Sequence, residues 1–218
     1  MKDIIIIGAG GQGRETAQLI NDINCSNLVW NLIGFVDDIH ADKVVNGLPI
    51  LGPIDYLKSI AQQEVYVVCA IGNSKDRKKL VEKIMMECPH LKFATLVHPS
   101  AVVGDHTSIG LGNIICAQSV ITVNIKLGDH ILINYASTVG HDCIIGDFCT
   151  ILPGVNISGN VSLLEAVEIG SGAVVIPGIE VGKNTVVGAG AVVVRDLPAN
   201  CTAVGVPAKP IKFLNEII

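Results

Sequence analysis

The chain has 218 residues and a formal net charge of −5 at neutral pH; half of its residues are hydrophobic but only 4% are aromatic. The acidic balance argues against a nucleic-acid-binding surface, which draws its affinity from basic side chains on phosphate, and the core falls to Ile, Val, Leu and Ala. No apolar run reaches the roughly 18 residues of a membrane helix, and the seven Cys, odd in number and without CxxC spacing, read as free thiols of a reducing, cytoplasmic compartment.

Residues 1–97 read as an α/β domain. The start, MKDIIIIGAG, is a buried strand breaking into a glycine turn, too short in its apolar run for a secretory leader. GRETAQLINDI has helical spacing, and LIGFVDD and VYVVCAIGN read as further strands. SKDRKKLVEKIMMEC is an amphipathic helix with Ser74 as its expected N-cap, and KFATLVHPS is a short strand leading out. Alternating strands and helices imply a small parallel sheet. GAGGQG supplies Gly8-x-Gly10-x-x-Gly13 between the first strand and the first helix. Its physics is anion binding by free backbone N–H groups at a helix N-terminus, where no side chain blocks approach. Asp37 and Asp38 follow at the end of the second strand, where a ribose or base is met. Fewer than 100 residues precede the next change of pattern, room for one mononucleotide half. A nucleotide sugar is therefore expected in preference to NAD.

From Val103 to Val193 every sixth residue, sixteen in all, is Val, Ile or Leu, and the next residue is often Gly. A helix repeats at 3.6 and a strand at 2, so neither produces this period. A β-sandwich would not hold phase over so long a stretch. A six-residue repeat marks a β-helix, each hexad being one short strand and a corner. The first hexad position faces the interior; the third and fourth form the corner and face out. His141 and Asp142 hold the third and fourth positions of the hexad starting at Val139, a rigid and exposed place for a catalytic pair. Cys143 and Cys149 hold fifth positions and read as inward packing groups.

These hexads resemble those of left-handed β-helix acyltransferases, in which three hexads close one triangular coil. On that resemblance, eighteen residues return the chain to the same place one rung along, about 4.8 Å away. The left hand, an exception to the usual crossover, is likewise implied by the family. Counting eighteen from His141 reaches Gly159, and the same count joins Ser171 to Ala189 along another corner, where a long thin ligand fits. His40, His90, His98, His106 and His130 lack such company. A zinc hydratase on this scaffold needs three histidines, and no two of His106, His130 and His141 differ by eighteen.

The whole chain resembles the NeuD/PglD type of sugar acetyltransferase, on the segments GAGGQG, GFVDD, AIGNSKDR, ILINYASTVGHDCIIGDF, SGNV and VGVPAKP. The resemblance implies a Rossmann-like domain over 1–97 that holds a nucleotide-linked amino sugar. It implies a catalytic left-handed parallel β-helix with a C-terminal tail over 98–218, whose homotrimer holds acetyl-CoA between neighbours. It places the general base at His141, the acidic residue that raises its basicity at Asp142, and the acetyl-carbonyl contact at Gly159. Ser171 and Ala189 fall along CoA. Gly10, Gly11, Gln12, Gly13, Asp37, Asp38, Gly72 and Asn134 fall at the sugar nucleotide. Two positions depart from the family: Thr150 stands where some members carry a second His near the thioester, and Gln12 stands where His is common. Thr150 is expected to keep a hydrogen bond there, and Gln12 to keep the hydrogen bonds without titrating. Lys209 is a candidate for a CoA phosphate, with a solvated lysine as the alternative. The implied activity is acetyl-CoA-dependent N-acetylation of a UDP- or dTDP-linked 4-amino-4,6-dideoxy sugar, by direct transfer and without a metal. O-acetylation of a sialic acid or related sugar hydroxyl is the alternative. A non-enzymatic nucleotide-binding scaffold would keep the glycine loop but have no use for His141 and Asp142.

Overall fold

A computed structural model describes residues 1–39, 43–60 and 63–213, so His40 lies outside the described residues. The chain divides into two units, Met1–Pro99 and Ser100–Ile218. Among the described residues no helix is long and apolar enough to cross a membrane.

The first unit runs β1 (Lys2–Ile7), α1 (Gly11–Ser26), β2 (Trp30–Val36), β3 (Val44–Val45), β4 (Leu48–Gly52), α2 (Tyr56–Ile60), β5 (Val65–Cys69), α3 (Ser74–Glu87), β6 (Lys92–Phe93) and β7 (Leu96–Val97). Its sheet has the order β3-β4-β2-β1-β5-β6. Pairing is parallel throughout except for the β3–β4 hairpin. β1 lies between β2 and β5, which explains its unbroken run of isoleucines: Ile4, Ile5, Ile6 and Ile7 are all buried. Two local features differ from the sequence reading. The hairpin turns at Asn46-Gly47, both with positive φ (48° and 81°), an Asn-Gly signal for a tight hairpin that the strand assignment passed over. The N-cap of α3 is Asn73, not Ser74. Asn73 has extended backbone and its side chain accepts from the N–H of Asp76 at 3.0 Å, whereas Ser74 is the first helical residue and is buried.

The second unit is the expected β-helix. Sixteen two-residue strands run from Val102–Val103 to Val192–Val193 at six-residue intervals. Each pairs in parallel register with the strand eighteen residues away, as in Ile121↔Val139, Val139↔Ile157 and Ile157↔Val175. The second residue of each strand points inward; Ile121, Val139, Ile157 and Val175 are buried. Burying such a side chain contributes about 1.5–3 kcal/mol, and the repeat places one per hexad. Every fourth hexad position from His106 to Gly190 adopts the left-handed backbone region. This region turns the chain at each corner and is held most readily by Asn, Asp and Gly. One corner column is His106, Asn124, Asp142, Asn160 and Gly178, and backbone bonds tie successive rungs beside it: Asp142 N–H to Val123 O at 3.1 Å and Asn160 N–H to His141 O at 2.8 Å. The hexad rule ends after Val193. Cys201–Val204 still pairs with Val186–Val187, and Lys209–Phe213 folds back antiparallel on it.

Candidate functional site

The second unit carries a histidine hydrogen-bonded to a carboxylate at a coil corner. Thr138–Val139 and Ile144–Ile145 are strands anchored by Val139 and Ile145 in the interior. His141 and Asp142 occupy the turn between them, with side chains 58% and 46% exposed. His141 Nδ1 lies 2.8 Å from Asp142 Oδ2. A carboxylate only accepts hydrogen bonds, so Nδ1 carries the proton and Nε2 of the neutral ring keeps its lone pair. The other carboxylate oxygen, Oδ1, accepts from Asn124 Nδ2 at 3.2 Å. The hydrogen bond with His141, and after it that with Asn124, holds the Asp142 carboxyl below its usual range against a smaller opposing effect of burial.

Gly159 sits one rung from His141, as the eighteen-residue count requires. A Cβ built at Gly159 would lie 2.5 Å from both Cε1 and Nε2 of the ring and 2.9 Å from Cδ2. The backbone of the next rung therefore passes directly against the edge of the imidazole that carries the free lone pair, and only glycine leaves that approach open. A Cβ at Gly140 would in turn meet the Gly159 nitrogen at 2.6 Å, so the rungs are close-packed here.

On another corner the ladder bonds Gly172 N–H to Pro153 O and Gly190 N–H to Ser171 O, each 2.9 Å, place Pro153, Ser171 and Ala189 in one column. Ser171 and Ala189 are exposed. Thr150 does not fit its expected place: it is 2% exposed, so its hydroxyl has no open face toward a thioester. Asn134 is 6% exposed, and its Oδ1 accepts from the N–H of Tyr135 at 2.9 Å. Lys209 is exposed and lines a cavity of about 270 Å³ with Arg195, Pro207 and Pro210. Arg195, a second cation there, escaped the sequence reading because it lies just past the last hexad.

The first unit has its own site. Gly10, Gly11, Gln12, Asp37 and Gly72 line a cavity of about 310 Å³ together with Gly8, Ile39, Ala70 and Ile71. α1 starts at Gly11 with no side-chain cap and no acidic residue in its first turn, which leaves its N–H groups and positive dipole end for an anion. The Nε2 of Gln12 is buried with no hydrogen-bond partner; leaving a buried donor unsatisfied costs about 1–3 kcal/mol, which an acceptor on a ligand would relieve. Three expectations change. Gly13 is buried, and a Cβ there would collide with the Gly8 carbonyl; it closes the turn between strand and helix and does not face the cavity. Asp37 is committed to backbone: Oδ2 accepts from Ala9 N–H and Oδ1 from Ile39 N–H, both at 2.7 Å. Asp38 lines a smaller adjoining cavity with Ile54 and Leu80, and its Oδ1 accepts from Ile54 N–H at 2.7 Å. Arg77, inside AIGNSKDR but unassigned from sequence, is 2% exposed and donates from Nη1 to the carbonyls of Ile71 (2.7 Å) and Gly72 (3.0 Å). It fixes the Ile71–Gly72 wall of the larger cavity.

Parallel coils carrying an imidazole at a corner, with an α/β unit ahead of them, are the arrangement that the resemblance to hexapeptide-repeat acyltransferases implies. Residues 3–84 match the PglD N-terminal domain family. Over 159 residues the chain is 38% identical to a GDP-perosamine N-acetyltransferase of Escherichia coli O157:H7, covering 72% of this chain and 70% of that one. It superposes with a TM-score of 0.88 on PerB from Caulobacter crescentus, solved with CoA and GDP-perosamine, at 35% identity and over 97% of this chain and 98% of that one. The acetyltransferase domain of PglB from Neisseria gonorrhoeae FA1090, solved with acetyl coenzyme A, gives a TM-score of 0.89 at 34% identity, over 96% and 99% of the two chains. The chain belongs to the NeuD/PglD-type sugar acetyltransferase family, with its Rossmann-like domain and left-handed β-helix.

Proposed function

We propose that the protein moves the acetyl group of acetyl-CoA to the amine of a nucleotide-linked 4-amino-4,6-dideoxy sugar, with His141 as general base. The observation that carries this reading is the corner itself: an imidazole oriented by Asp142 at 2.8 Å, with its Nε2 edge against the bare backbone of Gly159. A sugar amine at neutral pH is largely ammonium and must lose a proton before it can attack. An imidazole with a free Nε2 lone pair suits that task. Nε2 takes the first proton and passes it to solvent; the amine nitrogen bonds to the thioester carbonyl carbon, and as the C–S bond breaks the second N–H proton goes to sulfur, so that CoA leaves as the thiol. An N–H donor near Gly159 would steady the oxyanion; such donors are typically worth roughly 3 kcal/mol. Ser171 and Ala189 line the run of CoA, Lys209 meets a phosphate, and a homotrimer completes the groove. Gly10, Gly11, Gln12 and Gly72 hold the sugar nucleotide, with Asp37 and Asp38 bracing the loops around it. Two relatives are linked to GDP-perosamine, one by its activity and one by its bound ligand, which supports a GDP-linked acceptor ahead of the UDP- or dTDP-linked one read from the sequence.

The test is an assay of thiol release from acetyl-CoA with GDP-, UDP- and dTDP-linked 4-amino sugars, run beside His141→Ala and with the mass in solution measured by light scattering. The GDP-linked amine should turn over fastest, His141→Ala should lose roughly 100-fold or more in kcat while staying folded, and the mass should be three chains. A folded His141→Ala with full activity would refute the base assignment.

A further inference from the structure

We infer that Asn124 is a positioning residue for the His141–Asp142 pair, setting the Asp142 carboxylate so that one oxygen is committed to the imidazole; this rests on His141 being the base. Asn124 and Asp142 hold the same corner position eighteen residues apart, with φ of 57° and 61°. Their backbones are fixed by equivalent rung bonds, Asn124 N–H to Asp105 O at 3.2 Å and Asp142 N–H to Val123 O at 3.1 Å. From that place Asn124 Nδ2 reaches Asp142 Oδ1 at 3.2 Å, while Oδ2 faces His141 Nδ1 at 2.8 Å. An aspartate this exposed, held by one bond alone, is free to turn toward water. A second bond to the other oxygen removes that freedom, and with it the alternative in which Nδ1 loses its acceptor and the proton shifts to Nε2. Nε2 is the edge that Gly159 approaches, so the asparagine acts on the reacting nitrogen through two hydrogen bonds without touching a substrate.

Residue type alone does not carry this, because asparagine suits any left-handed corner. Asn184 at another corner makes the comparable contact, Nδ2 to Asn200 Oδ1 at 2.9 Å, with no titratable partner. Asn184 is therefore the built-in control for a purely structural asparagine. The titratable groups near the pair include the buried thiol of Cys143, which burial and then the Asp142 charge push up, and Asp105 and His106, one rung below Val123 and Asn124; Val123 itself, beneath His141, is apolar.

The experiment compares Asn124→Gly, Asn124→Asp and Asn184→Gly in full-length protein. Glycine keeps the left-handed corner without strain, as Gly178 does in the same column. Asn124→Gly should lower kcat about fivefold, the scale of one ordinary net hydrogen bond, with both KM values unchanged. Asn124→Asp should move the acidic limb of the kcat–pH profile to higher pH, since a second carboxylate beside the pair favours its protonated form. Asn184→Gly should leave kcat and the pH profile as in the wild type. Wild-type kcat in Asn124→Gly together with an unmoved profile in Asn124→Asp would overturn the inference. So would equal losses in Asn124→Gly and Asn184→Gly. With His141→Ala inactive, either result removes the role of Asn124 alone; an active His141→Ala removes the base as well.

Discussion

Gly159→Ala is the sharpest perturbation the corner allows. The added methyl carbon would stand 2.5 Å from Nε2 and Cε1 of His141, where carbon contacts settle near 3.5–4.0 Å. The neighbour must therefore give by about 1 Å. The Gly159 backbone is held in the coil ladder, its carbonyl accepting from Gly178 N–H at 3.1 Å, whereas the His141 side chain is 58% exposed. The ring, and not the coil, is what moves. Gly159 is at a third corner position, outside the left-handed set, so alanine adds no backbone strain. A displacement of about 1 Å at a catalytic group costs on the order of 100-fold, or about 2.7 kcal/mol of transition-state stabilisation. Steady-state kinetics and a thermal melt read the two halves of this expectation: kcat down by about 100-fold, Tm close to wild type. If Gly159→Ala keeps half of the wild-type kcat, the rung from Gly159 does not abut the working edge of the imidazole and the geometry of the site is misread.

Gln12→Leu removes a buried donor that has no partner in the free protein, so the unliganded Tm should not fall. The KM for the nucleotide sugar should nonetheless rise about tenfold for the lost ligand bond; an unchanged KM would take Gln12 out of the substrate site. Asp142→Asn tests the carboxylate through stability. Asp142 titrates in the folded chain below its ordinary 3.8, so its contribution is present above that value and is lost as pH falls through the folded pKa. The Tm gap between wild type and Asp142→Asn should be small at neutral pH and close on acidification through the carboxylate range. A gap that is constant with pH would mean the charge of Asp142 is not what its partners hold.

The β-helix was legible because its interior admits one aliphatic side chain per hexad, which leaves a period no other element produces. The corner was legible only after the resemblance supplied three hexads per coil. That count found Gly159 from His141, and the same count backwards from Asp142 would have found Asn124. Burial of outward positions does not show in the repeat. Thr150 stands at an outward strand position like Thr138 and Ser162, yet it is buried, as are Ile114 and Leu132 in its own column. In the first unit the glycine pattern located the cavity, but not the division of labour within it. Gly13 and Gly10 belong to one motif, and only the approach of Gly13 to the Gly8 carbonyl shows which of them is packing. Likewise nothing in "DD" reveals that both oxygens of Asp37 serve backbone N–H groups. Asn73 displaced Ser74 as the cap because an Asx side chain one residue earlier reaches the same N–H groups from extended backbone.

The mechanism requires His141 to take the proton of the acceptor amine. A crystal structure of the protein with CoA and a GDP-linked 4-amino sugar tests it most directly. The acceptor nitrogen should lie at hydrogen-bond distance, about 3 Å, from His141 Nε2, with Nδ1 still on Asp142. An amine bound well beyond that reach, with the imidazole turned to solvent, would contradict the claim.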